Sequence, residues 1–207
     1  MSCKRVSKKQ SKVARTRATK IIKDVRKTLK NEYRFSDRLV GSATRNTIIK
    51  DPDTGFYDLD YQLVLTLNSK SSLKASDVKP RFLSAFNNVC VSYEKVEDST
   101  TAITIIDTNH KYSLDFVILR DSPNPDKIIR RNNKPADITK NDYDWATLSK
   151  LNQAYDRFKN MHWMDKRDVC DDKIIPEKCR EKQKDEPQRK SSVRIFKEEV
   201  NKYEEKY

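Results

Sequence analysis

Glycine is scarce in this sequence: only two of the 207 residues are glycine, Gly41 and Gly55. Because glycine adopts backbone conformations that other residues avoid, the chain has few positions at which it can turn tightly or approach a ligand closely. Gly41 ends an apolar segment and precedes Ser42, which predicts a tight turn after a strand. Gly55 lies within PDTGF, a pattern typical of an ordinary turn.

Long apolar runs and regular cysteine patterns are also missing from the sequence. No apolar run approaches the roughly 20 residues that span a bilayer, so we expect no membrane span. The four cysteines are irregularly spaced and no secretory signal precedes them, which favours a reducing, cytoplasmic compartment. His162, Cys170 and Cys179 are spaced too widely for a usual zinc site.

Charge is abundant and mostly positive. Charged residues make up 36% of the chain, the formal net charge is +13 and the mean hydropathy is -0.93. So little apolar material predicts a concentrated core, and apolar runs do cluster between residues 39 and 119. The positive charge favours polyanionic partners such as nucleic acid or nucleotide phosphates. A role in solubility explains it equally well.

The N-terminal region changes character near residue 18. Residues 1–17 are basic and predict either a flexible tail or the solvated start of a helix. Apolar residues then recur every three or four positions, which predicts a helix from about Ala18 to Tyr33. The face opposite this apolar stripe is basic, and we interpret it first as a solvated face.

Three aspartates dominate the central region. Side chains alternate in a strand, so Asp58 and Asp60 of YDLDYQLVL point to one face while Leu59 and Tyr61 point to the other. Asp115 lies in a second strand-like run, YSLDFVIL, and can supply a third carboxylate. Oxygen ligands of this kind select a hard cation, Mg²⁺ or Mn²⁺.

An anion site is predicted just before these carboxylates. We expect a strand over Phe35–Val40, a turn at Gly41, and a short helix from Ser42 to about Ile48 whose free N–H groups would attract phosphate. Ser42 could add its hydroxyl, and Arg45 and Thr47 could reinforce it.

Periodicity predicts the remaining elements. They are a strand over Tyr57–Leu67, a helix over Ser76–Val89, strands over Cys90–Lys95, Thr101–Asp107 and Lys111–Leu119, a helix from Thr139 or Asn141 to Trp163, and a poorly packed tail from Asp165 that ends in a helix over Val193–Tyr203. Tyr143 and Tyr155 are candidate stacking surfaces for a base, although an aromatic stripe is more often core.

Taken in order, Gly41-Ser42, Asp58-x-Asp60 and Asp115 resemble the motifs of the DNA polymerase β-type nucleotidyltransferases. The run GSATRNT and the basic helix before it are similar to the oligoadenylate synthase and cGAS/DncV-like branch. The resemblance covers roughly residues 20 to 120. The segment between Ser42 and Asp58 departs from the family in being a few residues longer, with KDPDTGFY forming an extra turn.

The resemblance implies an α+β fold, in which helices flank a mixed sheet and a short helical C-terminal lobe follows. We expect a catalytic domain over 18–122 and a helical lobe with a charged tail over 123–207. The implied substrate is a nucleoside triphosphate, with Mg²⁺ or Mn²⁺ as cofactor and RNA or DNA as a candidate acceptor or activator. The implied catalytic and metal residues are Asp58, Asp60 and Asp115, and the implied nucleotide-binding residues are Gly41, Ser42, Arg45, Thr47 and, from the second lobe, Lys150.

Two other functions stay open at this point. One is a non-catalytic nucleic-acid-binding protein with the same fold, although degenerate proteins of that kind lose one or more of the aspartates. The other is a toxin or antitoxin component that acts on tRNA or on a partner protein. The acceptor, the base preference and the oligomeric state do not follow from the sequence.

Overall fold

The computed structural model describes residues 4–66, 73–120, 127–132, 143–147, 152–184 and 190–204. The helices are α1 (Lys12–Thr28), α2 (Ala75–Val89), α3 (Asn152–Asn160), α4 (Trp163–Asp168), α5 (Ile175–Lys182) and α6 (Ser192–Glu204). The strands are β1 (Phe35–Val40), β2 (Tyr57–Leu65), β3 (Glu94–Asp98), β4 (Ala102–Asp107), β5 (Tyr112–Arg120), β6 (Lys127–Arg131) and β7 (Tyr143–Thr147).

The chain divides into two compact units. A sheet unit comprises described residues within Lys12–Val40 and Asp58–Ser149, and a helical unit comprises those within Met1–Ser11, Gly41–Tyr57 and Lys150–Tyr207. The domain boundaries expected from the sequence, at residues 18 and 123, stay a prediction.

The sheet unit is built on a mixed sheet of seven strands. Five strands follow the order β1-β2-β5-β4-β3, while β6 pairs with β5 and β7 pairs with β6. Along β2 and β5 buried apolar residues alternate with more exposed residues, so each strand has one face in the core. That alternation places Asp58, Asp60 and Asp115 off the core face.

Two helices cover the core of this unit. The apolar stripe of α1 is fully buried and includes Ile21, Ile22 and Val25. The buried face of α2 carries Phe86, whose ring lies 4.7 Å from the ring of Phe116 on β5. The α1 helix begins at Lys12, six residues before the expected start, because Ala14 and Ala18 extend its buried stripe toward the N-terminus.

The expected helix from residue 139 or 141 to Trp163 is wrong over its described first part. Tyr143–Thr147 is a strand that pairs antiparallel with β6. Tyr143 is buried there, and Trp145 Nε1 donates a hydrogen bond to the carbonyl of Leu73 at 2.7 Å. Thr139 and Asn141, the expected caps, lie outside the described residues.

The helical unit has its own apolar cluster, so the C-terminal segment is better packed than its composition predicts. Its buried members are Ala154, Val169, Cys170, Ile174, Ile195, Phe196 and Val200. A π-helical segment over Val169–Ile174 joins α4 to α5 and turns three of these residues inward.

Residues 4–11 pack within the helical unit, whereas a flexible tail was one of the two expectations for this segment. Val6 is fully buried and donates a backbone hydrogen bond to the carbonyl of Ile48 at 2.9 Å, and Arg5 forms a β-bridge with Ile49. Buried backbone groups need such partners, and these pin the segment to the 41–57 region of the same unit.

Among the described helices, none combines the length and apolar character required to cross a membrane.

Candidate active site

Asp58 and Asp60 lie on the face of β2 that points away from the core. Asp58 is exposed and Asp60 is partly buried, while the alternate residues Tyr57, Leu59 and Tyr61 are buried. Asp60 pairs in register with Val40, the last residue of β1. The local alternation that the sequence predicted is therefore present.

Asp115 occupies the equivalent face of β5, the strand next to β2 in the sheet. Thr104 of β4, its register partner, donates a hydrogen bond of 2.6 Å from Oγ1 to Asp115 Oδ1. Burial raises the pKa of Asp115; the bond from Thr104 opposes this rise, and the negative charge of Asp58 adds to it. Asp58 and Asp115 thus interact across neighbouring strands.

A second hydroxyl, that of Ser113 on β5, binds the carboxylate of Asp58 on β2. Ser113, two residues before Asp115, donates from Oγ to Asp58 Oδ1. Neither Ser113 nor Thr104 is among the residues predicted from the sequence. Ser113 shares the outward face two residues before Asp115, which was an available signal, whereas Thr104 reaches Asp115 only through strand pairing.

The three carboxylates fit a hard divalent cation by their chemistry. They offer oxygen ligands alone, and the repulsion between Asp58 and Asp115 is what a bound cation would relieve. Within the part of the chain that the structure describes, no group of three or more His, Cys, Asp or Glu side chains is arranged to hold a metal ion. Two of the carboxylate oxygens instead accept bonds from Ser113 and Thr104.

The Gly41-Ser42 turn, in the helical unit, is tighter than predicted. Gly41 has φ of 68°, in the left-handed region that favours glycine, and a short 3₁₀ turn covers Gly41–Ala43. The expected helix to Ile48 does not form, because Asn46 also takes a left-handed conformation with φ of 57°. The backbone N–H of Thr47 closes the loop by donating to Ser42 O at 2.9 Å.

Lys178 of α5 holds this turn, and the sequence analysis did not single it out. Its side chain is only 3% exposed, and Nζ donates to Ser42 Oγ at 2.6 Å and to Thr47 O at 3.1 Å. The spacing of buried Ile174, Lys178 and Glu181 on one helix face was the available signal. The high charge of the segment concealed that signal.

The other predicted nucleotide-binding residues, Arg45, Thr47 and Lys150, do not share one environment. Thr47 is fully buried, so its side chain lies inside the helical unit. The Arg45 guanidinium lies 4.3 Å from the ring centroid of Phe196, a member of the apolar cluster. Lys150 lies outside the described residues.

The two candidate stacking residues, Tyr143 and Tyr155, differ in their exposure to solvent. The Tyr143 hydroxyl donates to Asp98, so this buried ring is part of the sheet unit's interior. Tyr155 is 44% exposed on α3, with its ring 6.5 Å from that of Phe196. Tyr155 is the one of the two that solvent and a ligand can reach.

No protein-family model and no curated protein sequence matches this chain. Solved structures do match it. DncV from Vibrio cholerae in its 3'-deoxy ATP bound form superposes with a TM-score of 0.62 at 14% identity, covering 97% of this chain and 53% of that one. DncV from Escherichia coli in its 3'-deoxy GTP bound form gives 0.60 at 13% identity, covering 84% and 47%.

The STING-associated CdnE c-di-GMP synthase from Capnocytophaga granulosa gives a TM-score of 0.63 at 18% identity, covering 96% of this chain and 61% of that one. This chain therefore spans about half the length of the solved structures that it matches. At such identities the likeness concerns the fold, and it confirms both the α+β class and the resemblance drawn from the sequence. The chain has the fold of the DNA polymerase β-type nucleotidyltransferases, in the form found in DncV and CdnE.

Proposed function

We propose that this protein is a metal-dependent nucleotidyltransferase, which transfers a nucleoside monophosphate from a nucleoside triphosphate to a hydroxyl acceptor. The observation that carries the proposal is the set of Asp58, Asp60 and Asp115 on the outward face of two neighbouring strands of this fold. Asp58 and Asp115 repel one another electrostatically, which a bound cation would relieve. Phosphoryl transfer needs chiefly positioning and charge neutralisation.

Asp58 and Asp60 would hold the cation, with Asp115 as a further ligand. Bound Mg²⁺ or Mn²⁺ neutralises phosphate charge and makes the acceptor hydroxyl more acidic. Asp115 would also accept the proton of the acceptor hydroxyl. The acceptor oxygen bonds to the α-phosphorus as the bond to the leaving pyrophosphate breaks.

Ser42 and Lys178 would bind the triphosphate. Because Ser42 Oγ accepts a hydrogen bond from Lys178 Nζ, its own O–H is left to donate to a phosphate oxygen. The ammonium group of Lys178 adds a positive charge beside that hydroxyl. Lys150, which lies outside the described residues, stays a prediction for the same role.

The acceptor is proposed to be a second nucleotide. The matched proteins include a c-di-GMP synthase and a DncV cyclic AMP-GMP synthase in complex with a linear intermediate. A cyclic or linear oligonucleotide is accordingly the product expected of this chain.

A non-catalytic nucleic-acid-binding protein of the same fold is the second candidate. The net charge of +13 favours it. Retention of all three aspartates opposes it, because binding to phosphates gains nothing from outward-facing carboxylates.

Labelled nucleoside triphosphates test the proposal. The protein is incubated with each triphosphate and Mg²⁺ or Mn²⁺, alone and with RNA or duplex DNA, and pyrophosphate and labelled products are resolved. The Asp58→Asn, Asp60→Asn double variant should lose activity about a hundredfold or more, since metal ligation supplies several kcal/mol.

A matched control removes the same charge elsewhere, by Asp24→Asn with Asp53→Asn, and should keep full activity. If the wild type forms no product in any combination but binds RNA or DNA in a salt-dependent way, the binding protein is the correct account.

A further inference from the structure

The helical unit contains a hollow of about 510 Å³ at its surface, lined by Arg5, Ser7, Lys8, Lys9 and Asn46. That volume falls within the range of about 300 to 1,000 Å³ typical of small-molecule sites. Every lining side chain can donate a hydrogen bond, three of the five are cationic, and none is acidic. A lining with three cationic side chains and no carboxylate favours an anion.

Arg5 is held rigidly at one side of this hollow. Its Nε donates to Asn46 O at 2.8 Å, and its Nη1 bonds Asp171 Oδ1 at 2.5 Å. With both of these nitrogens occupied, the guanidinium plane is fixed and Nη2 remains for a ligand. A guanidinium group held in this way loses little side-chain entropy when it binds a phosphate.

Lys8 and Lys9 supply the uncompensated charge. Both are exposed, and within the described ranges neither ammonium group has an ion pair or a hydrogen bond. Asp171 offsets the charge of Arg5, so the hollow keeps two positive charges. That number matches a phosphate monoester, which carries about 1.5 to 2 negative charges at pH 7.

We propose that this hollow binds the phosphate monoester group of a small molecule of nucleotide size or smaller. The phosphate oxygens accept from Arg5 Nη2 and from the ammonium groups of Lys8 and Lys9, with the Ser7 hydroxyl and the Asn46 amide at the rim. A phosphodiester fits less well, because it carries one charge and two of its oxygens are blocked. The proposal is independent of the carboxylates of the candidate active site.

A titration of ¹⁵N-labelled full-length protein, followed by NMR, locates the binding. The probes are inorganic phosphate, AMP, adenosine and dimethyl phosphate. Phosphate and AMP should shift the amides of Ser7, Lys8, Lys9 and Asn46 in a saturable way. Adenosine should shift none of them, and dimethyl phosphate should bind about tenfold more weakly or worse.

Variants then separate this hollow from other basic surface. Lys8→Gln with Lys9→Gln should weaken AMP binding about tenfold or more, since each lysine gives a charge-assisted bond. Lys20→Gln with Lys23→Gln, which removes the same charge from exposed positions of α1, should leave it unchanged. The Asp58→Asn, Asp60→Asn variant should also bind AMP normally, so loss of catalysis and loss of this site are distinguishable.

Three outcomes would overturn the proposal. The first is absence of saturable binding by phosphate or AMP at millimolar concentration. The second is a set of shifts confined to Gly41, Ser42 and Ala43, which would assign the phosphate to the candidate active site. The third is equal affinity for dimethyl phosphate, which would assign the hollow to a phosphodiester backbone.

Discussion

Lys178 is the buried side chain that holds the Gly41-Ser42 turn. It is almost fully buried, yet its described partners at the turn are two neutral oxygens, Ser42 Oγ and Thr47 O. Because Nζ lies 2.6 Å from Ser42 Oγ, we expect the charge of Lys178 to serve a phosphate bound at the Gly41-Ser42 turn.

Replacing Lys178 by methionine tests this role. Methionine keeps the length of the side chain but removes the donor and the charge. The affinity for a non-hydrolysable nucleoside triphosphate, measured by calorimetry, should fall about tenfold or more, since a hydrogen bond to a charged group contributes about 1.5 to 3 kcal/mol. Lys182→Met, one turn later on α5, is the matched control and should bind normally. Equal affinity in both variants would show that Lys178 is only structural.

Gly41 offers a second test at the residue scale. Its φ of 68° costs an L-residue roughly 1 to 2 kcal/mol, so Gly41→Ala should lower the free energy of unfolding by about that amount in urea denaturation. Gly55→Ala is the control, because Gly55 has φ of 75° and should cost a similar amount. Only Gly41→Ala should also weaken triphosphate binding; if both variants bind equally well, the turn is not the phosphate site.

At the scale of elements, a buried ionic cluster joins α2 to β3 and β7. Lys79 is 1% exposed; its Nζ lies 3.2 Å from Asp98 Oδ1 and donates to Ala102 O at 2.8 Å. Arg131 and Tyr143 also donate to Asp98. One carboxylate therefore accepts hydrogen bonds from Arg131 and Tyr143 and forms an ion pair with Lys79, and its removal would leave Lys79 charged and buried.

Asp98→Asn should lower the free energy of unfolding by about 3 to 5 kcal/mol, the usual cost of breaking a buried pair. The exposed Asp53→Asn is the control and should change it little. Urea denaturation at pH 7 measures both. If Asp98→Asn lowers the free energy of unfolding by less than about 1 kcal/mol, the cluster does not stabilise the packing of these elements.

The same cluster predicts a dependence on pH. Burial raises the pKa of Asp98, but the Tyr143 hydrogen bond and the charges of Lys79 and Arg131 more than offset it, so the folded pKa is lowered. A lowered folded pKa gives stability that is complete above the unfolded value of about 3.9 and is lost as pH falls below it. Between pH 5 and pH 2, wild type should lose more stability than Asp98→Asn; parallel curves would contradict the assignment.

Sequence patterns predicted the central elements because their signals are local. Strand alternation located β1, β2 and β5 within two residues, and the apolar spacing located α2 within one. The helix expected to end at Trp163 is wrong over Tyr143–Thr147, because aromatic residues spaced by three and four are typical of a helix, whereas β7 is fixed by its pairing with β6. Its later part is helical over Asn152–Asn160. Pairing partners far apart in sequence leave little trace in a local window.

In the molecule as a whole, features set by short sequence motifs were predicted, and contacts between residues far apart in sequence were not. The aspartates and the glycine turn follow from short motifs, so the sequence predicted them. Lys178 reaches Ser42 across 136 residues, and Thr104 reaches Asp115 from another strand. These partners depend on tertiary packing, which the sequence does not show. The apolar cluster of the helical unit was not predicted either, because its members are scattered among many charged residues.

The central claim is that Asp58, Asp60 and Asp115 bind a divalent cation together with a nucleoside triphosphate. The most direct measurement is Mn²⁺ binding by electron paramagnetic resonance in the presence of a non-hydrolysable triphosphate, because it requires no knowledge of the acceptor. Wild type and the Asp53→Asn control should bind Mn²⁺ equally, and Asp60→Asn should weaken the binding at least about tenfold. Equal binding by all three proteins would contradict the account.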